Sequence, residues 1–72
     1  MELNEKKSPS DMKHEGFTLK RTIFCYEVWE KDGEQVYINN RTREVEVYTS
    51  PNKQVLKRRH LRIYNIYYFN FD

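Results

Sequence analysis

Residues 29–49 read Trp29-Glu30-Lys31-Asp32-Gly33-Glu34-Gln35-Val36-Tyr37-Ile38-Asn39-Asn40-Arg41-Thr42-Arg43-Glu44-Val45-Glu46-Val47-Tyr48-Thr49. Asp32-Gly33 is the strongest local signal in the chain, because this pair readily supplies the positive φ angles of a type I′ hairpin turn. An extended, β-prone run from Phe17 to Glu30 precedes it, and a second strand from Gln35 to Asn39 follows. Asn39-Asn40-Arg41-Thr42 forms another turn, where Asn tolerates the left-handed region, and Glu44 to Thr49 alternates Glu with apolar residues as a third strand. The reading is an antiparallel meander.

Two-residue loops centred on Asp32-Gly33 and Asn40-Arg41 pair Trp29 with Val36 and Val36 with Val45. One face then collects Ile23, Cys25, Trp29, Val36, Ile38, Val45 and Val47. The other collects Phe24, Tyr26, Val28, Tyr37 and Tyr48 among Glu30, Glu44 and Glu46. A three-residue second loop would instead move the third strand to the opposite parity.

Beyond the meander, Ser50-Pro51 has the form of a helix start, and Val55, Leu56, Ile63 and Tyr67 recur at roughly helical spacing. This predicts a helix from Pro51 to Tyr64, whose basic second half suits the negative end of the helix dipole. Before the meander, Ser8-Pro9-Ser10-Asp11 reads as an N-cap, a first-turn Pro and a capping-box partner, with Gly16 at the stop and Met12 as the one sizeable apolar side chain. Residues 1–7 are mostly charged or polar and are expected to fray. The expected fold class is therefore α+β. Residues 1–16 form a polar segment with at most one short helix, and residues 17–72 form a single βββα domain, a three-stranded meander followed by a C-terminal helix and an aromatic tail. Trp29, Val36, Ile38, Val45, Val55, Leu56 and Ile63 are its expected core.

Eleven of the 72 residues are aromatic, six of them Tyr, and the run Ile66-Tyr67-Tyr68-Phe69-Asn70-Phe71 is followed only by Asp72. A chain this short has too little interior for them all and sits near the size where oligomerisation makes up for a small core. The expectation is a homodimer whose interface holds Phe24, Tyr26, Tyr37, Tyr48, Tyr67, Tyr68, Phe69 and Phe71.

The net charge of +2 is unevenly placed: residues 51–72 hold five Lys/Arg against Asp72 alone. Lys57, Arg58, Arg59 and Arg62 are candidate nucleic-acid contacts, with Tyr64, Tyr67 or Tyr68 available to stack on bases. The competing reading is an ordinary solvated basic helix, or one that pairs with the acidic strands of a second subunit. The six acids between Glu27 and Glu46 would repel a phosphate backbone on their own face.

No catalytic constellation is expected. Cys25 has β-branched and aromatic neighbours and reads as a small buried hydrophobe rather than a nucleophile paired with His14 or His60. The spacing of these residues is not that of a metal site, neither Gly16 nor Gly33 lies in a phosphate-cradling loop, and no cofactor is implied. A single cysteine rules out an intramolecular disulfide and fits a reducing compartment, and neither an apolar leader nor a membrane span is expected. The expected location is the cytoplasm, with an unknown protein as the further partner and no membrane.

Trp29-Glu30, Tyr37-Ile38-Asn39-Asn40-Arg41-Thr42 and Pro51 resemble the WW-domain pattern of a Trp, a Tyr-x-Asn-x-x-Thr hairpin and a closing Pro. The second Trp is replaced here by Val47 or Tyr48, which removes the aromatic cradle for a proline-rich ligand. A three-stranded meander followed by a helix is also similar to the small DNA-binding modules of phage integrases, though Glu44 and Glu46 would sit on the presumed reading strand. Over its whole length, from Met1-Glu2-Leu3-Asn4-Glu5-Lys6-Lys7-Ser8-Pro9 through Phe24-Cys25-Tyr26-Glu27-Val28-Trp29 to Tyr67-Tyr68-Phe69-Asn70-Phe71, the chain resembles a family of small prophage proteins of Bacillus subtilis. That resemblance implies a homodimer of subunits with one helix and three strands. It implies no activity and transfers no site residue.

Overall fold

The computed structural model describes residues 1–57. A short helix, α1 (Pro9–His14), precedes five strands: β1 (Thr18–Ile23), β2 (Tyr26–Lys31), β3 (Glu34–Asn39), β4 (Val45–Thr49) and β5 (Val55–Lys57). They form one antiparallel sheet in sequential order β1-β2-β3-β4-β5. This is a mostly-β meander, and it corrects the expected three strands followed by a C-terminal helix.

The helix expected from Pro51 fails at its first turn. Ser50-Pro51 opens a reverse turn instead: Lys53 N donates to Ser50 O and Ser50 N donates to Gln54 O, both at 2.9 Å, with Lys53 at φ 73°. Pro favours the second position of such a turn as readily as the first turn of a helix, so Ser-Pro fits both. Val55 and Leu56 follow in an edge strand and are 45% and 53% exposed, outside the core expected for them. Ile63 and the remainder of the expected helix lie outside the described residues.

The extended run from Phe17 to Glu30 is broken into a hairpin by Phe24-Cys25, with Ile23 and Tyr26 paired across the turn. Asp32 at φ 46° and Gly33 at φ 86° make the expected turn between β2 and β3, and Trp29 pairs with Val36 as the sequence suggested. The next loop is longer than two residues. Asn39 and Glu44 bracket it, the Asn39 side chain accepts from the Arg41 and Thr42 amides at 2.8 and 3.3 Å, and Arg43 turns at φ 65°. Val36 consequently faces Tyr48, not Val45.

Register irregularities explain which residues change face. Between Leu19 and Arg21, and again opposite Tyr37 and Ile38, the pairing shifts, leaving Lys20 and Glu46 as extra residues. An extra residue reverses the in–out alternation that follows it. Val45 therefore stays with Met12, Phe17, Trp29, Val36 and Ile38 on the first face, while Val47 joins Val28 and Tyr37 on the second, flanked by Ile23 and Tyr26. Tyr48 moves in the opposite direction, to the first face.

The first face is roofed by α1. Ser8 and Asp11 form the expected capping box, and the helix ends in a Schellman motif: Gly16 N donates to Lys13 O and Phe17 N to Met12 O, with Gly16 at φ 94°. The paired Met12 and Phe17 side chains seal Trp29, which is 1% exposed. Residues 1–7 contribute too, contrary to the expected fraying: Met1 and Leu3 pack on this cluster, and the Lys6 backbone pairs with that of Glu44 in an isolated β-bridge. Trp29→Ala should destabilise the fold by about 3–5 kcal/mol, as for other buried aromatics. Chemical denaturation checks this, and equal midpoints for the two chains would refute the core assignment.

Candidate functional site

The densest polar constellation surrounds Glu27. Arg43 donates to both its carboxylate oxygens at 2.9 and 3.0 Å, and the Trp29 indole N–H donates to Oε1 at 3.0 Å. Arg43 Nε also reaches Lys7 O at 2.9 Å. Burial opposes ionisation of Glu27, but the bonds from Arg43 and Trp29 outweigh it and hold the carboxyl below its ordinary range. Every member of the group is engaged with another, so it fixes three segments in place and offers no reactive atom.

A second group lies at the β1–β2 turn. Tyr26 Oη donates to Glu46 Oε1 at 3.3 Å, and the phenol is pushed well above its ordinary range by burial, by the Glu46 charge and by Cys25. An acid beside a phenol disfavours the phenolate, the opposite of what activation of Tyr26 would require. Cys25 itself is half-buried in the turn, not within a strand. Among the described residues no group of three or more His, Cys, Asp or Glu is placed to hold a metal ion, and no helix is long and apolar enough to cross a membrane. An open depression lined by Met1, Leu3, Glu5, Lys7 and Glu15 is occupied by its own ion pairs, Lys7 with Glu5 and with Glu15.

The expected interface residues separate into distinct environments. Tyr37 is 1% exposed, its phenol pushed up to about 12 by burial, so its ring belongs to the second cluster. Tyr26 and Tyr48 are half-buried. Phe24 stands apart at the tip of the β1–β2 hairpin, 73% exposed and at φ 55°. Leu19 on β1 is 45% exposed. Tyr67, Tyr68, Phe69 and Phe71 lie outside the described residues, as do Arg58, Arg59 and Arg62. Lys57 ends β5, opposite Val47. Leu19 and Leu56 went unrecognised as surface residues, although both lie on one cross-strand row, Leu19–Trp29–Val36–Tyr48–Leu56, wider than the roof provided by a six-residue helix.

No protein-family model, curated protein or solved structure matches the chain. The five strands also separate it from the three-stranded WW and integrase-like arrangements. What it shares with the WW pattern is hairpin chemistry, the Asn39 side chain capping its own loop and Thr42 Oγ1 accepting from the Glu44 amide at 3.2 Å.

Glu27 supplies a pH test. Its folded pKa is depressed, so its contribution is present above the ordinary value of 4.5 and is lost as pH falls through the folded value. Glu27→Gln should cost about 1.5–3 kcal/mol near neutrality, the range for hydrogen bonds to a charged group, and should give a shallower loss of stability on acidification below pH ~4.5. Urea titrations at several pH values measure both, and parallel acid profiles would contradict the assignment.

Proposed function

We propose that this chain acts by association and not by catalysis, as a small interaction module that works as a homodimer. The resemblance to small Bacillus prophage proteins supports a phage-derived accessory role in the cytoplasm, with a host or phage protein as the further partner. The observation that carries the reading is Phe24. A bulky L-residue at positive φ is strained by on the order of 1–3 kcal/mol, and Gly or Asn would fill the turn at less cost. Phe24 gains little from burial in its own subunit, since 73% of it stays exposed. A strained turn that displays an aromatic side chain to solvent suits an anchor for another surface.

Phe24→Asn separates the two roles. The variant should melt at the same temperature as the parent or higher, because the strain is relieved, while self-association weakens by about tenfold or more, equivalent to ~1.4 kcal/mol. Sedimentation equilibrium reads the second quantity. A parent chain that stays folded and monomeric at micromolar concentration ends the homodimer reading, and a variant that associates as tightly as the parent ends the role of Phe24.

A second reading, nucleic-acid binding through Lys57, Arg58, Arg59 and Arg62, draws support from a cross-strand row. Arg21 and Lys57 stand at the two ends of Arg21–Val28–Tyr37–Val47–Lys57, which places positive charge at both margins of the second face. Phosphate binding would weaken steeply as salt rises, whereas an apolar protein contact would not. Filter binding to DNA and RNA at low and moderate salt is the discriminating measurement, and absence of binding at low salt removes this reading.

A further inference from the structure

Beyond Lys57 the edge of β4 is closed to further pairing. β5 runs antiparallel to β4 and ends with Lys57 opposite Val47, and the next stretch of the same edge is taken by residues 4–7: Asn4 N donates to Val45 O at 2.9 Å, Val45 N to Glu5 O at 2.8 Å and Lys7 N to Arg43 O at 2.9 Å. The chain therefore has to leave the plane of the sheet after Lys57. Partners directly opposite in a ladder point to one side, so Lys57 lies on the second face with Val47, at the end of the row Arg21–Val28–Tyr37–Val47–Lys57. The first face is already taken, roofed by α1 together with Met1 and Leu3.

The second face is sheltered as closely as the first. Val28, Tyr37 and Val47, with Gln35 and Thr49, are no more than 8% exposed, yet among the described residues no helix or further strand lies over them. An antiparallel sheet covered on one face only keeps the other wet and its side chains there polar. Here the centre of that face is apolar. Gln35 and Thr49 pair across β3 and β4, alternate with first-face Val36 and Tyr48, and bring two buried oxygens, Oε1 and Oγ1, that have no hydrogen-bond partner among the described residues. Burying such atoms is costly unless a polar group reaches them from above the sheet.

Residues 58–72 carry what this face calls for. Eight of the fifteen are Leu, Ile, Tyr or Phe, and Asn65, Asn70 and the tyrosine hydroxyls offer hydrogen-bond donors. Arg58, Arg59 and Arg62 bring positive charge to a face on which the carboxylate of Glu46, bonded to Tyr26, is buried. Reach is ample, since five strands ~4.8 Å apart span about 19 Å and fifteen residues extend to ~50 Å. The segment starts on this face with no linker before it, which gives it a large advantage in effective concentration over any second copy. We propose that residues 58–72 fold back over the second face of their own subunit and close it above Val28, Tyr37 and Val47. The assignment stands apart from the homodimer reading: it withdraws Tyr67, Tyr68, Phe69 and Phe71 from the surface open to a second copy and leaves Phe24 as the aromatic displayed there.

NMR on the unaltered full chain tests this without a variant. In a uniformly labelled sample the methyls of Val28 and Val47 should show nuclear Overhauser contacts to ring protons of residues 64–71, and those of Val36 and Val45, on the first face, should show none. Labelled and unlabelled chains refolded together then identify the source, because contacts made within one subunit vanish from the isotope-filtered spectrum of the mixture. Absence of any contact from residues 64–71 to Val28 or Val47, or contact with Val36 and Val45 in their place, overturns the proposal. Contacts that persist between chains overturn it too, and make a second copy the occupant of the face. Sedimentation equilibrium on the same sample keeps the two readings apart: intramolecular contacts in a monomeric chain uphold the docking and end the homodimer alone.

Discussion

The Glu27 carboxylate accepts three hydrogen bonds, two from Arg43 and one from the indole of Trp29, and the other segments of the domain are arranged around it. Trp29 brings the first-face core, with Met12 and Phe17 above it and Val36 beside it. Arg43 brings the loop between β3 and β4, and through Lys7 O the residues 4–7 that pair with Arg43 and Val45. A carboxylate so placed could not be left uncompensated, because a partly buried charge without partners costs several kcal/mol. The positive φ at Arg43 follows from the same demand: the loop folds back so that the guanidinium reaches Glu27, and the amide still donates to Asn39 O at 2.7 Å.

Much of this architecture was legible wherever a feature is written in consecutive residues. Asp32-Gly33 specified its turn, Ser8-Pro9-Ser10-Asp11 its cap, and the Trp29–Val36 pairing followed from the first of these. The faces beyond the bulges were not legible. A period of two predicts which side chains share a face only while the pairing is regular, and nothing in Leu19-Lys20-Arg21 or Val45-Glu46-Val47 announces an extra residue. One bulge transferred Val47 to the second face and Tyr48 to the first. Ser50-Pro51 misled for a different reason, since the fixed φ of Pro suits a helix start and a reverse turn alike, and only the pairing of Val55–Lys57 with β4 decides between them.

The surface was legible in kind more than in place. An excess of aromatics over available interior pointed to association, yet Tyr37, one of the residues assigned to the interface, is closed inside the subunit. Exposure of Phe24 depends on a hairpin that breaks Phe17–Glu30 in two, and that run lacks the Gly or Asn that marks such turns. A turn made without the residues that favour it is invisible to propensity. For the same reason it is informative once seen, because the strain it carries has to be compensated somewhere.

An open sheet has two edges, and this one treats them differently. β1 carries Lys20 and Arg21 at its centre, with Lys20 bulged out and bridged to Glu30 at 3.2 Å. Charge and a bulge are the usual devices against unwanted strand pairing, so β1 is poorly suited to extend the sheet by backbone bonding. The exposed apolar side chains on that side are Leu19 and Phe24. On the other side β4 has its own extra charged residue, Glu46, but its outer edge is not left to repulsion. It is instead covered by segments of the chain, residues 4–7 along one half and β5 along the other. An edge protected by pairing depends on the covering segments staying in place, whereas an edge protected by charge does not. The asymmetry therefore ties protection of β4 to residues 4–7 and β5, and protection of β1 to the charges of Lys20 and Arg21.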